Sequence, residues 1–329
     1  MSSIYTNKHN VPLALSVWLV ADSYDYQDIP NYISATTLLK PLRQMILSAR
    51  TLPSMLKVQP DLSELAARAM GNALHDSIEK AWLSNYAKSL KILGYPEDVI
   101  NSVRINPEPD QLFDDCIPIY LEQRQKKQVG KWVVGGKFDM VADGVVHDNK
   151  STTVYAWING GKDEDYKMQG SIYRWLNPDK ITEDFIRVNF IFTDWQRSKA
   201  SQDPEYPQAR TMCKEIPLLS MEETDAWVRA KLSQIERYVE APDAEIPHCT
   251  DEELWRAPTI YKYYADPTKT QRATKVIGTD PVEAQRFLMV EKMGKGVVLP
   301  TGGEPKRCSY CNAFEICAQK DQFEAFKQG

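Results

Sequence analysis

Long apolar runs are absent from this chain of 329 residues. No stretch approaches the roughly 20 consecutive apolar residues that a membrane-spanning helix needs, so no membrane segment is expected. The first residues also lack a basic region followed by an apolar core and a small-residue cleavage site. Without a secretion signal, the expected compartment is a reducing cytoplasm, where the six cysteines would be metal ligands or free thiols rather than disulfides.

An excess of positive charge is lacking as well, since 40 lysine and arginine residues face 45 acidic residues and the net charge is −5. Proteins that coat nucleic acid nonspecifically are usually basic, so this balance argues against such a role. It does not exclude a local basic groove. Three groups of basic residues are candidates for such a groove, although a solvated surface is the favoured interpretation of each: Arg124, Lys126 and Lys127; Arg197 and Lys199; Lys269, Arg272 and Lys275.

The composition that is present, 43% hydrophobic and 26% charged, is that of an ordinary globular protein without repeats or low-complexity tracts. Hydrophobic periodicity predicts a long helix over residues 62–93 and further helices over 164–176 and 220–240. Runs rich in β-branched and aromatic residues predict strands over 117–123, 130–142, 144–155, 185–193 and 211–218.

The order of these elements predicts a mixed α/β (α+β) fold in which helices flank a central mixed sheet. We expect three regions along the chain. They are an N-terminal helical part (1–115), a core that contains the sheet (116–240) and a C-terminal segment with clustered cysteines that packs on the core (241–329).

The most informative residues are Asp139 and the triplet Asp148-Asn149-Lys150, which lie on neighbouring predicted strands. Asp143-Gly144 is a tight-turn pair between them, so the strands form a hairpin that brings both aspartates to one end of a sheet. Alternation places Asp148 and Lys150 on one face and Asn149 on the other. Two adjacent carboxylates repel each other unless a hard cation such as Mg²⁺ or Mn²⁺ joins them, and a lysine can neutralise charge on a phosphate. An ordinary exposed hairpin is the alternative.

Two predicted helices carry further candidates. Gly71, His75 and Glu79 are spaced by four and share one face of the long helix, where a packed or surface histidine is the alternative interpretation. Gln169 and Tyr173 share a face of the helix over 164–176 and offer an amide and a phenol to bases, backbone or a metal-bound water. Packing of the helix against the sheet is the alternative for this pair.

The cysteines form a third pattern. Cys308, Cys311 and Cys317 are close together near the C-terminus, and Cys249 lies upstream. Four thiolates would tie the end of the chain back to its body, and soft ligands suit an iron–sulfur cluster or Zn²⁺. The other two, Cys116 and Cys213, fall in strand-like segments and are predicted to be buried free thiols.

Together, His75, Asp139, the Asp148-x-Lys150 pair, the Gln169-xxx-Tyr173 pair and the cysteine triplet resemble the RecB-like branch of the PD-(D/E)XK nuclease superfamily. The resemblance covers roughly residues 65–195 and 249–317, and bacteriophage exonucleases and CRISPR spacer-acquisition nucleases share its layout. In the latter group the first cluster cysteine precedes the histidine motif. This chain has no cysteine there, so either Cys249 is the fourth ligand or the cluster is incomplete or absent.

The resemblance implies a restriction-endonuclease-like core and a metal-dependent DNA exonuclease. His75, Asp139 and Asp148, with the backbone carbonyl of Asn149, would bind Mg²⁺ or Mn²⁺. Lys150 would position or deprotonate a water, or stabilise the transition state. Gln169 and Tyr173 would orient the DNA strand and the lysine, completing a catalytic set of Asp139, Asp148, Lys150, Gln169 and Tyr173.

The same resemblance implies a structural [4Fe-4S] cluster, with Zn²⁺ as the alternative, at Cys249, Cys308, Cys311 and Cys317. DNA with linear ends or single strands is the expected substrate, in phage recombination or DNA degradation within a host cytoplasm. A single-strand annealing protein is a possible partner by analogy with phage systems. Two other functions stay open: an inactive or partner-dependent nucleic-acid-binding protein on this fold, and a site-specific or structure-specific endonuclease.

Overall fold

A computed structural model of the protein describes residues 4–21, 25–51, 60–159 and 162–323. Backbone contacts divide the chain into two units. The first consists of Met1–Leu39 and Val58–Ser233, and the second of Lys40–Lys57 and Gln234–Gly329. The division into regions 1–115, 116–240 and 241–329 stays a prediction.

Ten α-helices occur in the described residues: α1 (Leu13–Val20), α2 (Ala35–Leu38), α3 (Leu42–Arg50), α4 (Ala66–Ile92), α5 (Glu97–Ser102), α6 (Val154–Asn159), α7 (Asp163–Leu176), α8 (Arg197–Ala200), α9 (Met221–Tyr238) and α10 (Pro281–Arg286). A π-helical turn, Phe287–Glu291, continues α10. None of the helices in the described ranges is both long and apolar enough to cross a membrane.

Twelve strands occur in the same residues: β1 (Tyr32–Ser34), β2 (Val103–Ile105), β3 (Ile117–Leu121), β4 (Arg124–Val129), β5 (Trp132–Lys137), β6 (Met140–Ala142), β7 (Val145–Thr152), β8 (Phe185–Phe192), β9 (Thr211–Pro217), β10 (Ile260–Tyr264), β11 (Lys275–Gly278) and β12 (Val297–Thr301).

The central sheet of the first unit has six strands in the order β2-β3-β6-β7-β8-β9. The β2–β3 and β7–β8 pairs are parallel, and the other three pairs are antiparallel. The predicted fold class, a central mixed sheet flanked by helices as in a restriction-endonuclease-like core, is therefore confirmed. A second sheet in this unit has the order β1-β5-β4, and the second unit contains an antiparallel sheet in the order β11-β10-β12 that was not predicted.

Helices cover both faces of the central sheet. On one face, Trp82, Tyr86 and Leu90 of α4 pack against a buried cluster that includes Leu121 and Met140. On the other face, Gly170 of α7 lies so close to β8 that an added Cβ would be 3.0 Å from the Cβ of Ile186. Strand β8 alternates buried and half-buried residues along its whole length, as a strand with one fully covered face should.

The predicted strand over 130–142 is wrong as a single strand, because β5 and β6 belong to different sheets. The hairpin that contains them bends where Glu122-Gln123 lies opposite Phe138-Asp139. Hydrogen bonds continue through the bend, since Glu122 N donates to Asp139 O and Phe138 N donates to Gln123 O. Glu122 has a left-handed backbone at φ 50°, which the apolar pattern on either side does not reveal.

The tight turn between β6 and β7 is confirmed. Asp143 and Gly144 have φ values of 49° and 75°, the left-handed pair that a two-residue type I′ hairpin needs. The antiparallel ladder on either side pairs Ala142 with Val145. This turn fixes the register of β7, the strand that carries Asp148 and Lys150.

Packing of α7 against the sheet generates a stability prediction. Ile172 is fully buried, so Ile172→Ala should lower the free energy of unfolding by about 2–5 kcal/mol through lost burial and a residual cavity. The matched control is Ile92→Ala at the exposed end of α4, which should change stability by about 0.5 kcal/mol or less. Urea unfolding followed by circular dichroism measures both. Equal losses in the two variants would contradict the packing described.

Candidate metal centre and cysteine cavity

The bend between the two sheets of the first unit brings acidic side chains together. Glu122 follows β3 and Asp139 precedes β6, and both side chains are largely buried. Each offers a carboxylate oxygen, and His75 of α4 offers a ring nitrogen. These three ligand atoms all lie within 4.8 Å of one another. They form the acidic centre, a group of nitrogen and oxygen donors that can hold a metal ion.

His75 lies against both carboxylates of this centre. Its Nδ1 is 3.3 Å from Oδ2 of Asp139 and 3.9 Å from Oε1 of Glu122. The same Oδ2 of Asp139 accepts a hydrogen bond from the backbone N–H of Asn149 at 2.7 Å. The predicted proximity of the histidine helix and the two aspartate strands is therefore present in the structure.

Asp148 and Lys150 form an ion pair beside the acidic centre. The Lys150 Nζ lies 2.9 Å from Oδ1 and 2.7 Å from Oδ2 of Asp148. Asp148 is 1% exposed, whereas the Lys150 side chain retains some access to solvent. The predicted placement of both residues on one face of the strand explains the contact, because residues two apart in a strand point the same way.

Gln169 contacts Asp148 directly, and Tyr173 contacts Gln169. Gln169 Nε2 donates to Oδ1 of Asp148 at 3.2 Å and to the hydroxyl of Tyr173 at 2.8 Å. Both side chains are buried in the packing between α7 and the sheet. Gln169 thus positions the Asp148 carboxylate, and Tyr173 supports Gln169. That the pair orients the DNA strand and the lysine stays a prediction.

Electrostatics in this site favour binding of a cation. Burial, together with the nearby charge of Asp148, raises the pKa of Asp139 to about 6, although His75, Lys150 and the Asn149 N–H act in the opposite direction. Burial tends to lower the pKa of Lys150, but the charges of Asp148 and Asp139 outweigh it and the pKa is raised. Burial and Asp148 also raise the pKa of Tyr173, so its phenol stays protonated. Excess negative charge is thus confined in a poorly solvated site.

Glu122 is a functional candidate that sequence reasoning missed. The only signal available was an acidic residue directly after an apolar strand, which is common at strand ends. Its approach to Asp139 depends on the left-handed backbone and the bend, neither of which has a sequence signature here. Among the predicted ligands, Asn149 contributes its backbone N–H to Asp139, and its side chain accepts a hydrogen bond from Asn189. Metal binding by its carbonyl stays a prediction.

The second unit contains a cavity lined by all four of the cysteines predicted to act together: Cys249, Cys308, Cys311 and Cys317. Each is half-buried. Burial raises the pKa of Cys249 to about 12 and that of Cys308 to about 11. No three of these sulfurs lie within 4.8 Å of one another, since the acidic centre is the one group of that kind in the described residues.

Two polar side chains in the lining of this cavity make hydrogen bonds to its cysteines. Arg43 of α3 is buried, and its Nε donates to Sγ of Cys317 at 3.1 Å while its guanidinium also pairs with Asp243. Gln319 makes two 2.8 Å hydrogen bonds to Cys249, accepting from its backbone N–H and donating to its carbonyl. Sequence reasoning missed both, because the contacts join residues 274 and 70 positions apart.

The predictions for the other two cysteines are corrected. Cys213 lies in β9, an edge strand of the central sheet, and its side chain is exposed, whereas Ile216 on the opposite face of the same strand is buried. Cys116 is half-buried and precedes β3, where its N–H closes a turn with the carbonyl of Phe113. Both are free thiols, and neither lines the cysteine cavity.

Comparisons with known proteins add little. No protein-family model and no curated protein matches this chain. Similar solved structures include a protein named SSO0001, at 15% sequence identity and a TM-score of 0.39 over 67% of this chain and 84% of that one. Another is a phage-related exonuclease from Haemophilus somnus 129PT, at 11% identity and a TM-score of 0.27 over 64% of this chain and 97% of that one. At these values neither similarity establishes an activity.

The donor atoms and their positions indicate which kind of ion the site can bind. A mixed α/β unit presents His, Glu and Asp donors at a bend of its sheets, next to a buried Asp–Lys pair. Hard oxygen donors with one imidazole are suited to Mg²⁺ or Mn²⁺. The protein thus has a candidate site for a divalent cation.

This site generates a binding prediction. Glu122→Gln keeps the shape of the side chain but removes a charged ligand, so Mn²⁺ affinity should fall by about tenfold or more. The matched control is Asp76→Asn, which removes the same charge from an exposed position of α4 next to His75. Mn²⁺ titration of the full chain, read by electron paramagnetic resonance, measures both. Equal affinities in the two variants would exclude Glu122 as a ligand.

Proposed function

We propose that this protein is a divalent-metal-dependent DNA exonuclease of the RecB-like PD-(D/E)XK type. The observation that carries the proposal is the position of the buried Asp148–Lys150 pair beside the acidic centre of His75, Glu122 and Asp139. Phosphodiester hydrolysis needs a cation, an activated water and neutralisation of charge on phosphate. This group of side chains can serve all three needs.

The residues present fit a divalent ion. His75, Glu122 and Asp139 would hold it, and Asp148 is near enough to raise the pKa of Asp139 by its charge. When bound, the ion supplies a water of lowered pKa and positive charge beside the phosphate. Ligation by Asp148, as the resemblance implies, would share its carboxylate between the ion and the Lys150 ammonium, since each carboxylate oxygen has two lone pairs.

The side chains of the chain itself divide the remaining work. Lys150 carries its proton at neutral pH, since its pKa is raised, so its ammonium is suited to stabilising negative charge on the phosphate. Asp148 holds that ammonium in place from two atoms. Gln169 is hydrogen-bonded to both Asp148 and Tyr173, and it holds the Asp148 carboxylate in one orientation. Buried groups behind Asp148 therefore support the catalytic pair.

Digestion from DNA ends is the favoured mode of action. A site-specific endonuclease normally needs an element that reads bases, whereas an exonuclease recognises ends and backbone. Linear ends or single strands are the proposed substrates, in phage DNA recombination or degradation, with a single-strand annealing protein as a possible partner. A binding protein without catalysis would usually have lost a carboxylate or the lysine, and here every predicted catalytic position is filled.

Digestion of end-labelled DNA tests the proposed activity. With Mg²⁺ or Mn²⁺ the wild type should degrade linear but not circular DNA. Lys150→Ala and Asp148→Ala should fold normally and lose about 100-fold or more in rate, because the first removes the ammonium that acts on the phosphate and the second removes the carboxylate that holds it. The position of the label on the shortened products gives the polarity of digestion.

The matched control is Lys88→Ala, which removes a lysine from an exposed position of α4 outside the acidic centre. It should retain close to wild-type activity. An Asp148→Ala variant whose rate stays within about tenfold of the wild type would exclude the catalytic assignment. No cleavage of any substrate by folded, metal-loaded wild type would favour the alternative, a partner-dependent or inactive nucleic-acid-binding protein.

We also propose that the cysteine cavity holds a structural [4Fe-4S] cluster. In a tetrahedral zinc site with bonds of about 2.3 Å, the sulfurs would be about 3.8 Å apart. The four thiols line one cavity, and no three of their sulfurs lie within 4.8 Å among the described residues, which leaves room for a larger group in which each thiolate binds its own iron. The Arg43 hydrogen bond to Cys317 supports a charged occupant, since N–H donors stabilise thiolate sulfur.

Optical spectra and metal analysis test this cluster. Protein purified without oxygen should be brown, with a broad absorption near roughly 400 nm and bound iron. Cys308→Ser should lose the absorption and lower the unfolding temperature, because ligand binding to the native state adds to stability. The control is Cys213→Ser, which removes an exposed thiol outside the cavity and should retain both. Colourless protein with bound zinc would exclude the cluster.

A further inference from the structure

Lys137 forms an ion pair with a member of the acidic centre. Its Nζ is 2.5 Å from Oε2 of Glu122, and its side chain is 38% exposed. Lys137 is the last residue of β5, and only Phe138 separates it from Asp139. An ammonium therefore lies at the solvent side of the candidate metal site, bound to one of the carboxylates that would ligate the ion.

This ammonium and a divalent ion compete for one carboxylate. Glu122 presents Oε1 towards His75 and Oε2 towards Lys137. A cation held by His75, Glu122 and Asp139 places positive charge next to the Lys137 ammonium, and like charges in a poorly solvated site repel strongly. Binding of the ion must therefore weaken or break the contact between Lys137 and Glu122.

The Lys137 ammonium would then lack the Glu122 carboxylate that pairs with it. Directly opposite it in the ladder is Arg124, a second cation, whose guanidinium is paired with Asp25. The exposed part of the Lys137 side chain gives the released ammonium access to solvent. A DNA phosphate beside the scissile one is an anion that could approach from that direction, and lysine is a flexible partner for phosphate.

We propose that Lys137 couples metal binding to DNA binding. Without a divalent ion it neutralises Glu122, and with the ion bound it is released to contact a backbone phosphate of the DNA substrate. The inference rests on the proposed nuclease function for the identity of the anion. Its first half, competition at Glu122, depends only on the ion pair and the three donors.

Mn²⁺ titration in the absence of DNA tests the competition. Lys137→Met should bind Mn²⁺ about threefold to tenfold more tightly than the wild type, because the competing ammonium is gone. Lys126→Met is the matched control: it removes a lysine from the neighbouring strand β4, away from Glu122, and reports the effect of net charge alone. Should Lys137→Met fold poorly, Lys137→Gln makes the same comparison with a polar side chain.

DNA affinity tests the release. Fluorescence anisotropy of a labelled single-stranded oligonucleotide is measured in the Lys150→Ala background, which blocks turnover, with and without Mn²⁺. Mn²⁺ should tighten DNA binding more with Lys137 present than with Lys137→Met, and Lys137→Arg should retain most of that gain. By linkage, the gain equals the effect of DNA on Mn²⁺ affinity, which provides an independent check.

The outcomes separate this inference from the proposed function. If the wild type binds Mn²⁺ and cleaves DNA while Lys137→Met and Lys126→Met have equal Mn²⁺ affinities, the coupling is wrong and the nuclease assignment stands. If the Mn²⁺ affinity rises but the gain in DNA binding is unchanged, Lys137 competes for Glu122 without contacting DNA, and the coupling is again wrong. A wild type that does not bind Mn²⁺ overturns both.

Discussion

Mutual repulsion of three carboxylates is the constraint around which the first unit is arranged. Each carboxylate of the group has its own cationic or ionisable partner, in the pairs Glu122–Lys137, Asp139–His75 and Asp148–Lys150. These partners do not fully offset burial and repulsion, because the pKa of Asp139 still rises to about 6. Negative charge confined in a poorly solvated site is what a bound cation would stabilise.

The bend of the β3–β6 hairpin creates this crowding. In a regular antiparallel hairpin, Glu122 and its neighbours would belong to one continuous sheet. Here β3 and β6 belong to the central sheet, whereas β4 and β5 belong to the second sheet. A left-handed Glu122 is energetically unfavourable for a residue with a Cβ, and such strain persists only where the surroundings enforce it. The bonds between Glu122 and Asp139 backbones on one side, and Gln123 and Phe138 on the other, provide that enforcement.

Local patterns in the sequence were sufficient for the strands β3, β7, β8 and β9, for the helices α4, α7 and α9, and for the shared face of Asp148 and Lys150. The Asp143-Gly144 turn fixes the register, and a period of two then dictates which side chains share a face. Two kinds of feature could not be read in this way. The bend at Phe138 has strand-like residues on both sides, so its pattern is that of one strand, and contacts such as Arg43 with Cys317 depend on how distant segments pack. Exposure of Cys213 likewise depends on which face of β9 is covered by other elements, which is a property of the whole fold.

Donor chemistry assigns different occupants to the two candidate sites. The acidic centre offers oxygen and imidazole donors, which favour hard divalent cations, and the cavity of the second unit offers thiols, which favour iron–sulfur clusters or zinc. Arg43 fits this division, because a buried guanidinium would repel a simple cation but stabilises thiolates that carry net negative charge. The same arginine pairs with Asp243 and bonds to the carbonyl of Ile246, so it joins the segment around α3 to the C-terminal part of the second unit. An occupant of the cysteine cavity would therefore stabilise a unit assembled from segments far apart in sequence, and the hydrolytic chemistry would be left to the acidic centre.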